Sequence, residues 1–161
     1  MQLSVLVLED EPEVREAILR DLADLATTVR LEPAEDVADA RAVLEEIDRD
    51  GDVLALVLAD HRLPGASGVD LLVALCADDA HQRSRKVLVT GQADQQDTIR
   101  AVNDAGLDHF VTKPWDPEEL RTLVRAQLTA FVIEQGYDPL PHLRALDAAA
   151  VMPLLRGGGD R

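Results

Sequence analysis

The feature that most constrains this chain is a series of short apolar runs that stop abruptly at polar or acidic residues. Leu3 to Leu8 runs into Glu9 and Asp10, and Val53 to Ala59 runs into Asp60. Both are short and rich in Val and Leu, the pattern of strands buried on two faces. Val87 to Thr90 and His109 to Thr112 are shorter versions, and Thr28 to Leu31 is a weaker one. Between the runs the apolar residues change to helical spacing: Val14, Ala17, Ile18, Leu22 and Leu25 share one face, as do Val37, Ala40, Val43, Leu44 and Ile47. Further helices are predicted over about Val69 to Ala77, over Gln95 to Ala105 ended by Gly106, and over Pro117 to about Ile133. The last has Asp116 as its N-cap and Pro117 in its first turn.

Five βα units in alternation favour a parallel sheet with helices on both faces, because right-handed crossovers return each helix to the sheet. The chain of 161 residues suits one domain plus a tail. With two Phe, one Tyr and one Trp, its core must be aliphatic. The fourth helix offers only Ile99, Ala101 and Val102 as apolar surface, among Asp94, Gln95, Gln96, Asp97, Arg100, Asn103 and Asp104, and is expected to be the loosest. After Ile133 come Gly136, Pro139 and Pro141, an apolar stretch from Leu143 to Leu155, and Gly157 to Gly159. This segment, residues 134–161, is either a docking extension or a linker. Leu143, Leu146 and Ala150 would form one face of a short helix, and the glycine end is expected to be disordered.

Formal net charge is −15, from 31 acidic and 16 basic residues, which opposes direct binding to nucleic acid or anionic lipid. Most of this acid is a solvated surface. Cys76 sits in an apolar run and reads as a core thiol. No apolar stretch approaches the roughly 18 residues that span a bilayer, and no secretory signal opens the chain, so a cytoplasmic location is expected. His61, His81, His109 and His142 show no metal-site spacing, and Trp115 reads as a packing residue.

In open sheets of this kind ligands bind beyond the carboxyl ends of the strands. Those ends carry Glu9 and Asp10, then Asp60, Thr90 and Lys113. Any one acidic strand end is equally well a solvated turn. Together they gather three carboxylates, whose repulsion calls for a cation. Mg²⁺, which takes one or two carboxylates and keeps waters for phosphate oxygens, suits such a site, and Mn²⁺ would substitute. Lys113 adds an ammonium and Thr90 a hydroxyl donor, both suited to an acyl phosphate; aspartate can itself be a nucleophile.

The segments Val7-Leu8-Glu9-Asp10-Glu11-Pro12, Leu58-Ala59-Asp60-His61-Arg62-Leu63-Pro64-Gly65-Ala66-Ser67-Gly68, Val89-Thr90-Gly91 and Phe110-Val111-Thr112-Lys113-Pro114 follow one another in order. The chain thereby resembles the receiver domains of two-component response regulators over roughly its first four-fifths. The resemblance implies an α/β, flavodoxin-like, doubly wound sheet of order 2-1-3-4-5 with five helices over residues 1–133, plus a C-terminal extension. It implies that Asp60 is the phosphoacceptor and that Asp10, Asp60 and the backbone carbonyl of Arg62 ligate the metal, with Glu9 completing the acidic pair. Thr90 and Lys113 would engage the phosphoryl oxygens. Thr90 and Phe110 would move together on phosphorylation and reshape the face made by helix 4, strand 5 and helix 5. A cis bond before Pro114 is also implied.

Glu9 stands where the family more often has Asp, lengthening that arm, and Phe110 where many members have Tyr, leaving a switch by packing alone. The implied partners are a sensor histidine kinase or phosphotransfer protein and an output partner or fused effector, with a homodimer through the extension as another option. Such a domain is a phosphoprotein rather than an enzyme. Two other readings remain: a degenerate receiver serving only as a binding module, and a Mg²⁺-dependent aspartyl-phosphate hydrolase, for which a substrate-selecting domain is missing from the sequence.

Overall fold

A computed structural model describes residues 1–91 and 95–157. Asp94, Gly158 and Gly159 lie outside the described residues, as do the side chains of Gln95, Gln96 and Asp97. Five strands, β1 (Leu3–Leu8), β2 (Val29–Ala34), β3 (Val53–Asp60), β4 (Arg85–Thr90) and β5 (His109–Thr112), form one parallel sheet in the order β2-β1-β3-β4-β5. The helices are α1 (Pro12–Asp21), α2 (Val37–Arg49), α3 (Gly68–Cys76), α4 (Gln95–Asp104), α5 (Pro117–Gln135) and α6 (Ala148–Gly157).

Alternation along β1 divides the core. Leu3, Val5 and Val7 join Ile18 of α1 and Leu120, Val124 and Leu128 of α5, while Leu6 and Leu8 join Ala40, Leu44 and Ile47 of α2 and Val69 and Leu72 of α3. Two aliphatic layers thus sandwich the sheet, and the strands β1 and β3 at its centre are buried almost throughout. Local signals set the helix starts: Pro12 opens α1, Asp36 accepts from Asp39 N at the head of α2, and Asp116 Oδ1 accepts from Glu118 N at 2.8 Å to cap α5.

Several boundaries differ from the sequence reading for physical reasons. β2 runs on from Leu31 through Pro33 to Ala34, because it is an edge strand and proline costs no ladder bond on its open side. β4 begins at Arg85: Lys86 is buried there, its ammonium donating to the carbonyls of Ser84 and Gln82 at 2.8 and 3.1 Å. α1 ends at Asp21, and Leu25 is buried from a separate 3₁₀ turn, Ala23–Thr27. Cys76, at the last turn of α3, is partly exposed rather than core. Among the described side chains of α4 only the small Ala101 is buried, with Ala105 just beyond the helix, while Ile99 and Val102 stand 58% and 52% exposed. Residues after α5 form a 3₁₀ turn, Leu140–Ala145, and then α6, so Leu143, Leu146 and Ala150 do not share one helix; Ala150 is exposed, and His142, Ala145, Leu146 and Val151 are the buried positions.

Candidate functional site

The carboxyl ends of β1, β3, β4 and β5 bring the polar strand-end residues to one rim. Glu9 follows β1 directly and is wholly buried, with its N–H donating to Ala34 O at 3.0 Å and its carbonyl accepting from Arg15 Nη1 at 2.9 Å. Its carboxylate turns toward the sheet, accepting from Glu11 N at 3.4 Å and from Lys113 Nζ at 3.2 Å. Asp10 is half-buried beside it, and one carboxylate oxygen from each of Glu9, Asp10 and Asp60 lies within 4.8 Å of the others.

Asp60 is the last residue of β3 and is 6% exposed. Arg62 N donates to its Oδ1 at 3.4 Å, and Lys113 Nζ lies 3.2 Å from its Oδ2. The turn after it is fixed from two sides: His61 N donates to Val89 O at 2.9 Å, and Gly68 N to His61 O at 3.1 Å. Arg62–Leu63 and Ala66–Ser67 pair as a small antiparallel ladder, with Gly65 at φ +69° between them. Gly68 is required by proximity, since a Cβ there would sit 1.9 Å from the Asp60 carbonyl oxygen. Ser67 then caps α3, its Oγ accepting from Val69 N at 3.1 Å.

Thr90 ends β4, buried, with its Oγ1 donating to Gly91 O at 2.9 Å; its carbonyl accepts from Lys113 N at 2.9 Å, which ties the ends of β4 and β5 together. The Lys113–Pro114 bond is cis, as the resemblance implied. Phe110, two residues before the end of β5, is 48% exposed. Trp115 packs at the edge of the core and its Nε1 donates to Asp21 Oδ2 at 2.9 Å, joining the end of α1 to the start of α5.

Charge in the pocket is unbalanced, three carboxylates facing one ammonium. Burial, with the hydrogen bond and negative charge of Asp60, pushes Glu9 up to about 7 from an ordinary 4.5, against the opposing pull of Lys113. Burial lowers the Lys113 ammonium, but Asp60 and Glu9 outweigh it and its pKa is raised overall. A converging set of hard oxygen donors with excess negative charge fits a divalent cation such as Mg²⁺. Sequence reasoning missed Ser67, which its position as the N-cap of α3 could have signalled, and Arg15, whose hydrogen bond to the Glu9 carbonyl no local pattern announces.

The fold and its rim define the class as a doubly wound α/β domain with an acidic cluster and a lysine at the carboxyl ends of its strands, and comparison with known proteins gives its family. The family model for the response regulator receiver domain matches residues 5–125. The chain belongs to the response-regulator receiver family. It is 29% identical over 155 residues to the hydrogenase transcriptional regulatory protein HoxA of Cupriavidus necator, covering 96% of this chain and 29% of that protein. It is 31% identical over 154 residues to the phosphate regulon transcriptional regulatory protein PhoB of Pseudomonas aeruginosa, covering 89% of this chain and 64% of PhoB. The chain therefore spans under a third of the one relative and under two thirds of the other. Among solved structures, a CheY-like receiver domain protein from Methanospirillum hungatei superposes with TM-score 0.70 at 22% identity, over 83% of this chain and 99% of that one. An uncharacterized protein from Neptuniibacter caesariensis gives TM-score 0.70 at 27% identity, over 83% and 93%.

Proposed function

We propose that Asp60 is the phosphoacceptor of this receiver and that a histidine kinase or phosphotransfer protein is the donor. The observation that carries this reading is Lys113 Nζ standing 3.2 Å from both Asp60 Oδ2 and Glu9 Oε2 where three carboxylates converge. In the transfer an Asp60 carboxylate oxygen attacks phosphorus, the P–N bond to the donor histidine breaks, and the imidazole leaves as it takes up a proton. Lys113 neutralises charge on the phosphoryl oxygens, and Arg62 N, already at Asp60 Oδ1, holds the acceptor carboxylate in place. Glu9, Asp10, Asp60 and the Arg62 carbonyl would hold Mg²⁺, or Mn²⁺ in its stead, which supplies the remaining charge neutralisation. A slot of about 520 Å³ between α1 and the β5–α5 connection, lined by Val14, Ala17, Pro114, Trp115 and Lys113, gives the donor an approach to the rim.

Output follows from the polar groups that phosphate would recruit. Thr90 Oγ1 now bonds Gly91 O, while Phe110 on β5 and Ile99 and Val102 on α4 are exposed. A phosphoryl group on Asp60 offers Thr90 stronger, charged acceptors; its inward move would let Phe110 follow and change that surface for an output partner or fused effector. This is regulation in a cytoplasmic domain that helps its own modification, without turnover of a substrate and without direct contact to nucleic acid or membrane. Among the described residues, no helix is long and apolar enough to cross a membrane. A degenerate receiver would lack a member of the set, whereas Asp10, Asp60, Thr90 and Lys113 all stand at the rim.

Intact-mass measurement after exposure to acetyl phosphate tests the reading. One phosphoryl addition is expected with Mg²⁺, with none in EDTA and none in Asp60→Asn. Addition that persists in Asp60→Asn would overturn the assignment, and no addition to folded wild-type protein would favour the binding-module reading.

A further inference from the structure

The segment after α5 is tied to the domain at several independent points. Gly136, at φ +72°, ends α5 in a left-handed turn, and Tyr137 N donates back to Val132 O at 3.1 Å. The Tyr137 ring stacks on Phe131 with centroids 5.8 Å apart. Further on, Asp147 N donates to Thr129 Oγ1 at 2.8 Å while that hydroxyl donates to Arg125 O at 2.7 Å, and Arg125 Nη1 donates to Arg144 O. Ala145, Leu146 and Val151 are buried in the same cluster as Leu22, Leu25, Phe131 and Val132. The segment therefore reaches both α5 and the 3₁₀ turn that follows α1.

A linker would leave these apolar positions in water and its backbone amides without fixed partners. We propose that residues 137–151 are a strap belonging to the receiver's folding unit. The strap closes the apolar face between α5 and the Ala23–Thr27 turn and prevents α5 from running on as a connecting helix. The face it covers is thereby withdrawn from contact with a second copy or an effector, while Ile99 and Val102 of α4 and Phe110 of β5 stay exposed. Thr129 is the recognition point: it sits 5% exposed on α5, and its hydroxyl both accepts from the strap and donates to the helix.

Hydrogen exchange on the full chain separates strap from linker. Amides of residues 145–151 are expected to exchange within about tenfold of those in the second half of α5, as members of one cooperative unit. In full-length Leu146→Glu, protection is expected to fall by at least about tenfold together in 145–151, in 131–135 and in 25–28. If that variant does not fold, Thr129→Val, which removes the acceptor for Asp147 N and the donor to Arg125 O, is expected to give a smaller loss confined to the strap and α5. Exchange of 145–151 at unprotected rates in the native chain would overturn the proposal, as would protection at 131–135 that survives release of the strap. Asp60 lies at the other end of the sheet, so acetyl phosphate labelling of Leu146→Glu below its unfolding transition is expected to match wild type. Loss of labelling in wild type would count against the phosphoacceptor reading alone.

Discussion

Glu9 is where the pocket's electrostatics become measurable. Its carboxyl is held near 7 by burial and by Asp60, well above the ordinary 4.5. The folded state therefore binds this proton more tightly than the unfolded chain does, and ν is larger for the native state throughout the window between those two values. Stability of the metal-free protein is thus expected to fall as pH rises from about 4.5 to about 7. Divalent cation would oppose the loss by neutralising the carboxylates. Thermal melts in EDTA across this window should show a declining Tm, and saturating Mg²⁺ should flatten the decline; a Tm independent of pH in EDTA would contradict the account. The placement of Asp10, Asp60, Thr90 and Lys113 at the carboxyl ends of the strands was legible in the sequence because each closes or follows a recognisable run. The detail that Glu9 reaches Lys113 rather than solvent was not, because it depends on a contact across 104 positions of sequence.

At the scale of elements, the seating of α3 against β3 decides where Asp60 points. A Cβ on residue 68 would stand 1.9 Å from the Asp60 carbonyl oxygen and 2.9 Å from its carbonyl carbon. Gly68→Ala must therefore push α3 off the strand end, with an expected destabilisation of about 3 kcal/mol or more in chemical denaturation. It should also slow labelling of Asp60, because the same turn carries the acceptor; an unchanged midpoint would refute the close approach. β1 was bounded correctly by sequence because a buried, largely apolar run meets acidic residues at its end, and β5 because Phe110 and Val111 stand between His109 and Thr112, although this edge strand is mostly exposed rather than buried on two faces. β4 was read short because Arg85 and Lys86 look like loop residues until the carbonyls of Gln82 and Ser84 are seen to satisfy the buried ammonium. α1 was read long because Leu22 and Leu25 keep helical spacing while the backbone tightens into a 3₁₀ turn. The strap was illegible for a related reason, since its apolar residues have no partner within their own segment.

At the scale of the whole molecule, a net charge of −15 surrounds a site whose substrate group is itself an anion. Acetyl phosphate must approach against this field, so its labelling rate at saturating Mg²⁺ is expected to rise about twofold or more between low salt and about 0.3 M, as screening shortens the reach of the surface carboxylates. A rate that falls over that range would show that the field does not oppose the donor. The alternating runs made the doubly wound architecture readable in advance, and the family match over residues 5–125 agrees with it. The central claim is narrower: that one carboxylate, at the end of β3, takes the phosphoryl group. Borohydride reduction of the labelled protein converts a phosphorylated aspartate to homoserine with release of phosphate, and peptide mass mapping then locates it. The account predicts homoserine at position 60 and nowhere else; homoserine at position 10, or an unmodified Asp60 in protein that has gained a phosphoryl group, would contradict it.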